Sequence, residues 1–461
     1  MKTAVHQHSN TMNTPMDGDD WLEVAHEAWH YIDSLSLKGQ PSWQLEPGAP
    51  EKPNFAMYNG SGGILVFLIE LMAATNSKQW HDRVVNEGDA ILDWIKDRET
   101  MSCNTPLGWG GYTFVLSCLA SYTGEQRFRD AASRCVVKLR ESAQPLGSGL
   151  GWIERMPFSD ITGISDDAEV VDLSVGSAGS LLTLLHGYVE GFDPLALDAA
   201  KGVGDRLIEV ARKTPDGLLW FMAKDMPFEF PSPNFAHGSS GVAFALTELA
   251  AISGESRFLD AAIQGMEYTL SRAAPQAAGG SLICHLETEP DRYYLGTCHG
   301  PPGTGRGLLR LYDVTGDKRW LDKLYVLLDG LMGTGAPEAR SAGLWRNFGQ
   351  CCGDAGIGDF SLLLARRGLW DPGFEYAERC ASHILAESEY ADGGRSWSMA
   401  EHRNRPEFLQ RQTGYMQGAA GIGSFMVHIG SQANGKPVGL YPLDWPRTDP
   451  KRVGDPFAAG A

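Results

Sequence analysis

The sequence predicts an all-α fold, an α/α toroid of seven helical hairpins, and three observations lead there. A Gly-x-x-Gly pair recurs seven times at intervals of roughly 50 to 70 residues. Each pair opens a nearly all-apolar stretch of helical length, and several are followed by a second glycine at a fixed distance.

The pairs are Gly60/Gly63, Gly108/Gly111, Gly176/Gly179, Gly238/Gly241, Gly300/Gly303, Gly353/Gly356 and Gly418/Gly421. The segments behind them, such as VAFALTELAAI, are apolar all round and are expected to be buried inner helices. Gly124, Gly254 and Gly316 each lie 13 residues beyond the second glycine of their pair, where a helix should stop. Asn76 occupies that place in the first repeat, and Asn best replaces Gly in the left-handed conformation. Repeats three and six are shifted by about one residue. An aromatic and an aspartate follow in register: Trp80/Asp82, Phe128/Asp130, Phe258/Asp260 and Trp320/Asp322.

Amphipathic stretches such as DKRWLDKLYVLLDGL then supply the outer helices, the first being DDWLEVAHEAWHYIDSL. A helical hairpin cannot bury both faces alone, so neighbouring repeats must stack, and seven of them close into a ring. This overrules the two or three domains that length alone would give. The expected organisation is a flexible N-terminal tail over 1–18, the toroid over 19–435 and a C-terminal extension over 436–461.

With 43% hydrophobic and 21% charged residues the chain can bury a large core. A formal charge of −18 without clustered Lys or Arg argues against nucleic-acid binding. The N-terminal stretch lacks the apolar core of a secretory signal, and no run approaches about 18 apolar residues, so a cytoplasmic protein without membrane insertion is expected. Eight cysteines are too sparse for a disulfide scaffold, and clustered ones read first as metal ligands or nucleophiles.

Loops preceding the inner helices should emerge at one end of the ring, where helix N-termini favour anions. Reactive residues stand directly before only some glycine pairs. Repeat five reads GTCHGPPG, with Cys298 and His299, and repeat six reads GQCCGDAG, with Cys351 and Cys352. Repeat four reads NFAHGSSG, with His237, and repeat three places Asp172 four residues before Gly176. A vicinal cysteine pair with a third cysteine at the equivalent place one repeat away points to zinc, held by Cys298, Cys351 and Cys352 with one position open. Cys103, Cys118, Cys135, Cys284 and Cys380 lie away from the repeat glycines and read as buried thiols, and Cys284-His285 is a ligand-like pair out of register.

These motifs, Cys-x-Gly-x-Pro-Gly from Cys298, Cys-x-Gly-x-x-Gly from Cys351 and His-Gly-x-x-Gly from His237, resemble the lanthionine synthetase C-like family over nearly the whole chain. The resemblance implies zinc, usually bound there by two cysteines and a histidine, with Cys352 at the histidine position here, as in some bifunctional members. It implies addition of a cysteine thiol to dehydroalanine or dehydrobutyrine in a ribosomal peptide. His237 would then perform acid/base work, and Asp172 would accept the thiol proton or orient His237. His299 would lie near metal or substrate. Some relatives carry an arginine four residues before the first zinc cysteine, where this chain has Tyr294; Arg292 is the nearby candidate to replace it.

Two partners are compatible with this reading: a dehydrated precursor peptide, prepared by a separate dehydratase, or glutathione with dehydroamino acids of damaged proteins. A six-hairpin glycosidase shares the toroid but needs paired acids rather than thiolates. A zinc-stabilised scaffold that binds a peptide without catalysis is the non-enzymatic alternative.

Overall fold

The computed structural model describes residues 16–154, 167–224, 231–391 and 393–439. Among them fourteen α-helices alternate between an outer and an inner layer: α1 (Gly18–Ser34), α2 (Ser61–Thr75), α3 (His81–Ile95), α4 (Trp109–Thr123), α5 (Gln126–Ser142), α6 (Ser177–Val189), α7 (Ala196–Val210), α8 (Ser239–Ser253), α9 (Ser256–Ser271), α10 (Pro301–Thr315), α11 (Arg319–Gly333), α12 (Asp354–Arg366), α13 (Gly373–Ala386) and α14 (Ala419–Ala433). The expected tail and C-terminal extension fall outside the described residues, apart from 16–18 and 436–439.

The even-numbered helices are the inner ones. Every residue of α2 from Ser61 to Met72 is buried, and so is every residue of α8 from Ser239 to Ala250. The odd-numbered helices bury one face: α9 turns in Phe258, Ala261, Ala262, Gly265 and Met266, at the three- and four-residue spacing of an amphipathic helix. Each inner helix packs on the next, and α14 packs on α2, closing an α/α toroid. The first outer helix, α1, lies along the last inner helix, α14, so the seventh hairpin is assembled from opposite ends of the chain. Gly18 and Gly430 make that approach possible, since a Cβ on either would strike the other's carbonyl. The N-terminus of α1 is secured by a capping box between Asp17 and Asp20.

The Gly-x-x-Gly pairs exist for close approach, not for unusual dihedrals. The first glycine of each pair is the extended N-cap of its inner helix. The second lies where the preceding loop folds back over the helix: a Cβ at Gly303 would overlap the carbonyl oxygen of Thr297, and one at Gly356 that of Gln350. The downstream signals behave differently. Gly124, Gly254 and Gly316 adopt φ of 71°, 71° and 68°, and Asn76 adopts 49°, all ending their helices in the left-handed conformation as anticipated.

Among the described residues four two-stranded antiparallel hairpins follow outer helices: β1–β2 (Gln144–Leu146, Gly149–Gly151), β3–β4 (Arg212–Thr214, Gly217–Leu219), β5–β6 (Ala273–Pro275, Ser281–Ile283) and β7–β8 (Glu389–Ala391, Gly394–Ser396). Strands of three residues are too short to leave a period-two pattern, so the sequence gives no sign of them. No helix among the described residues is long and apolar enough to cross a membrane.

Candidate metal centre

Backbone hydrogen bonds tie the loops before the inner helices into a belt. In six of the seven repeats the residue two places before the first glycine of the pair donates its N–H to the carbonyl of its counterpart in the next repeat. The links run Ser174 to Ala236 at 3.0 Å, Ala236 to Cys298 at 2.8 Å, Cys298 to Cys351 at 3.1 Å, Cys351 to Met416 at 3.0 Å, Met416 to Tyr58 at 2.9 Å and Tyr58 to Pro106 at 3.2 Å. The seventh link cannot form, because residue 106 is proline and has no N–H to give. Two of the cysteines are therefore neighbours on this belt, although 53 residues separate them in the chain.

The next residue in each loop forms a second column: Asn59, Leu107, Val175, His237, His299, Cys352 and Gln417. Its four chemically versatile members belong to consecutive repeats, four to seven. The site thus occupies one side of the ring.

The Sγ atoms of Cys298, Cys351 and Cys352 all lie within 4.8 Å of one another. Cys352 Sγ is 3.6 Å from Cys298 Sγ and 3.5 Å from Cys351 Sγ. Zinc–sulfur bonds of about 2.3 Å in tetrahedral array put ligand sulfurs about 3.8 Å apart, so these two spacings suit a shared ion. Cys298 and Cys351 are themselves at disulfide distance, which leaves that pair two chemical states, a disulfide or two thiolates on a cation. Burial pushes the Cys352 thiol up to about 12, with a Gln417 hydrogen bond acting in the opposite direction. A thiolate in that place calls for a cation, and three sulfurs converging on one point are the donor set of a thiophilic one. The residues fit zinc.

Gln417 is a neighbour the sequence reading did not single out. Its Nε2 lies 3.5 Å from Cys352 Sγ, while its Oε1 accepts a 2.8 Å hydrogen bond from Asn347 Nδ2. Its place in the same column as His237, His299 and Cys352 was the available signal.

Asp172 is fully buried and divides its carboxylate between two tasks. One oxygen accepts from the Val175 amide at 2.7 Å and fixes the loop, and the other is 2.6 Å from His237 Nδ1. A carboxylate in that position holds the proton on Nδ1 and leaves Nε2 as the basic nitrogen. The imidazole of His237 lies 5.6 Å, centroid to centroid, from that of His299.

His299 begins an aromatic wall. His285 meets it edge-on at 4.4 Å and stacks on Tyr294 at 4.0 Å, and Trp345 abuts Tyr294 at 5.6 Å. His285 reaches the wall through a bridge between Cys284 and Tyr293, a fold-back the repeat register does not reveal. Burial lowers both histidines, His285 to about 3 and His299 well below its ordinary value, so both are neutral. Burial raises the Tyr294 phenol, against the opposing influence of Arg403. Arg292 is ion-paired with Glu289 at 2.5 Å. Cys103, Cys118, Cys135, Cys284 and Cys380 are buried and form no disulfide among the described residues.

The fold resembles that of nisin cyclase, at 17% identity and a TM-score of 0.56, with 82% of this chain and 88% of that one covered. The α-1,6-mannanase from Salegentibacter sp. HEL1_6 is similar at 12% identity and a TM-score of 0.45, covering 90% of this chain and 99% of that one. No curated protein sequence matches the chain. The family model described as lanthionine synthetase C-like protein matches residues 51–436, a span that includes all seven glycine pairs and the three clustered cysteines. The chain belongs to the lanthionine synthetase C-like family.

Proposed function

We propose that the protein is a zinc-dependent, thioether-forming cyclase that adds a cysteine thiol of a ribosomal peptide to dehydroalanine or dehydrobutyrine in the same peptide. The observation that carries this reading is the placing of three convergent sulfurs and a carboxylate-fixed histidine on adjacent repeats of one belt. Cys298, Cys351 and Cys352 would hold the metal, and as a Lewis acid it would lower the pKa of a substrate thiol.

His237 performs the proton work. With Nδ1–H held by Asp172, its Nε2 accepts the thiol proton. The thiolate attacks the β-carbon, the double-bond pair moves toward the carbonyl oxygen, and the α-carbon takes a proton from His237. Net addition leaves the mass unchanged. The Asp172 carboxylate, 2.6 Å from Nδ1, stabilises the imidazolium that forms between the two transfers. Gln417 keeps Cys352 oriented, and the neutral wall of His285, Tyr294 and His299 limits water on one side of the reacting atoms.

The test is incubation of zinc-loaded protein with a peptide carrying dehydroalanine and cysteine, followed by thiol alkylation and mass spectrometry. Cyclised peptide keeps its mass and no longer takes the alkylating group. A parallel arm with glutathione and a cysteine-free acceptor separates peptide cyclisation from glutathione addition, which raises the mass. Peptide that remains fully alkylated and unmodified in both arms removes the reading.

A further inference from the structure

Three thiolates on a divalent cation leave a net charge of about −1, and thiolate addition develops a second negative charge on the acceptor's carbonyl oxygen. Neighbouring anions in a partly dry site need a cation close by. Arg292 is committed to Glu289. Arg403 has no carboxylate partner among the described residues. It stands on the loop between β8 and α14, with its guanidinium carbon 5.3 Å from the Tyr294 ring centroid. Its Nη2 donates to Asn404 Oδ1 at 3.3 Å. Its Nε is buried without a hydrogen-bond partner among the described residues.

Two further atoms beside Tyr294 share that condition: the Nδ1 atoms of His285 and His299 are buried and unpartnered. Buried polar atoms are nearly always satisfied, so three orphans around one ring mark a place where a polar ligand belongs. The Tyr294 ring also meets that of His299 edge-on at 5.5 Å, and His299 directly follows Cys298 in the chain, so this recess borders the sulfur cluster.

The geometry points to Arg403 as a catalytic residue that holds the acceptor's carbonyl oxygen while it becomes an enolate, with Tyr294 as the platform on which the guanidinium rests. This rests on the thioether-forming reading above. In the step, the thiolate pair forms the bond from sulfur to the β-carbon, and the carbon–carbon π pair shifts toward the carbonyl carbon. The carbonyl π pair moves onto oxygen, against Arg403. The charge is discharged when the α-carbon takes up a proton equivalent to the one the thiol released.

The experiment compares wild type with Arg403→Gln, Arg403→Lys, Arg292→Gln and Arg405→Gln, the last an exposed arginine on the same loop. All are checked for zinc content and far-ultraviolet circular dichroism. Arg403→Gln should lower kcat for thioether formation by about 10²-fold, the usual effect of removing one oxyanion donor, with KM and zinc content little changed. Arg403→Lys should lose less, and Arg405→Gln nothing. A second readout is exchange of the α-proton of the finished thioether in heavy water, which passes through the same enolate without thiol deprotonation; Arg403→Gln should slow it in parallel. Wild-type kcat in Arg403→Gln, loss of zinc from it, or a kcat defect that appears in Arg292→Gln instead would each overturn the assignment. A wild type inert toward every pairing of thiol and acceptor sinks the thioether reading itself, and the role of Arg403 with it.

Discussion

The amide of Cys298 donates to the carbonyl of Cys351 across 3.1 Å. That hydrogen bond is one link of the backbone belt, so the separation of two prospective metal ligands is set by the stacking of repeats and not by their side chains. A metal seated there inherits the rigidity of the ring.

The reduced protein should bind about one zinc per chain, because one three-sulfur cluster is present among the described residues. Elemental analysis of Cys298→Ala, Cys351→Ala and Cys352→Ala should show strong depletion in all three. Full occupancy in any one removes that cysteine from the ligand set.

Gln417→Leu should retain the fold while weakening zinc binding about 10- to 100-fold, the usual cost of losing a partner behind a metal ligand. The basis is the 3.5 Å contact between Gln417 Nε2 and Cys352 Sγ. Competition against a zinc chelator reads the affinity directly. An unchanged constant would assign Gln417 to packing alone.

His237→Ala and Asp172→Asn should keep both metal and fold but slow thioether formation by about 10²- to 10⁴-fold. Asp172→Asn is expected at the severe end, since an amide that keeps the Val175 bond with its oxygen turns its NH2 toward Nδ1 and puts the ring proton on Nε2, the nitrogen that must act as base. Turnover at the wild-type rate in either variant would make that residue structural.

Cys352→His should still bind zinc, imidazole being an equally good ligand. Replacing a thiolate with a neutral nitrogen raises the charge of the centre by one unit, which acidifies the bound thiol and makes its thiolate a weaker nucleophile. Intrinsic reactivity should fall roughly threefold per unit of lowered thiol pKa. The comparison is made at equal zinc content on one peptide carrying both acceptors, with the larger loss on dehydrobutyrine. Equal or faster cyclisation would show that the third thiolate does not tune the nucleophile.

Within the inner layer, His428 is fully enclosed between Asp359 at 2.7 Å and Glu70 at 2.9 Å. Burial alone would lower its pKa, but the two carboxylates outweigh that effect and raise it to about 10. A folded-state value above the unfolded one near 6.5 means its contribution to stability is complete below about pH 6.5 and is lost as pH rises toward 10. Nitrogen NMR should show His428 as imidazolium at pH 8.5. His428→Leu, which removes the cation from between two buried carboxylates, should cost about 3–5 kcal/mol in denaturant unfolding. A neutral ring at pH 8.5, or a variant as stable as wild type, would contradict the assignment.

Much of the architecture is written locally. Seven glycine pairs announce seven inner helices because a loop can fold back over a helix start only where Cβ atoms are missing, as at Gly303 and Gly356. Gly124, Gly254, Gly316 and Asn76 announce helix ends because few residues tolerate positive φ. The same register singles out Cys298, Cys351 and Cys352 from the five other cysteines, and His237 and Asp172 from a longer list of titratable groups.

Other features were decided only when the ring closed. The pairing of α1 with α14 joins opposite ends of the chain, and no local signal specifies a partner that far away. His285 enters the aromatic wall through a fold-back outside the repeat pattern, and Arg403 arrives on a loop from the seventh repeat. Gln417 stands in the informative column, but an amide acquires chemical meaning only from what lies 3.5 Å away. Periodicity and backbone sterics act within a few residues and can be read along the chain. Side-chain neighbours contributed by different repeats depend on how the hairpins stack, and the sequence by itself does not state that geometry.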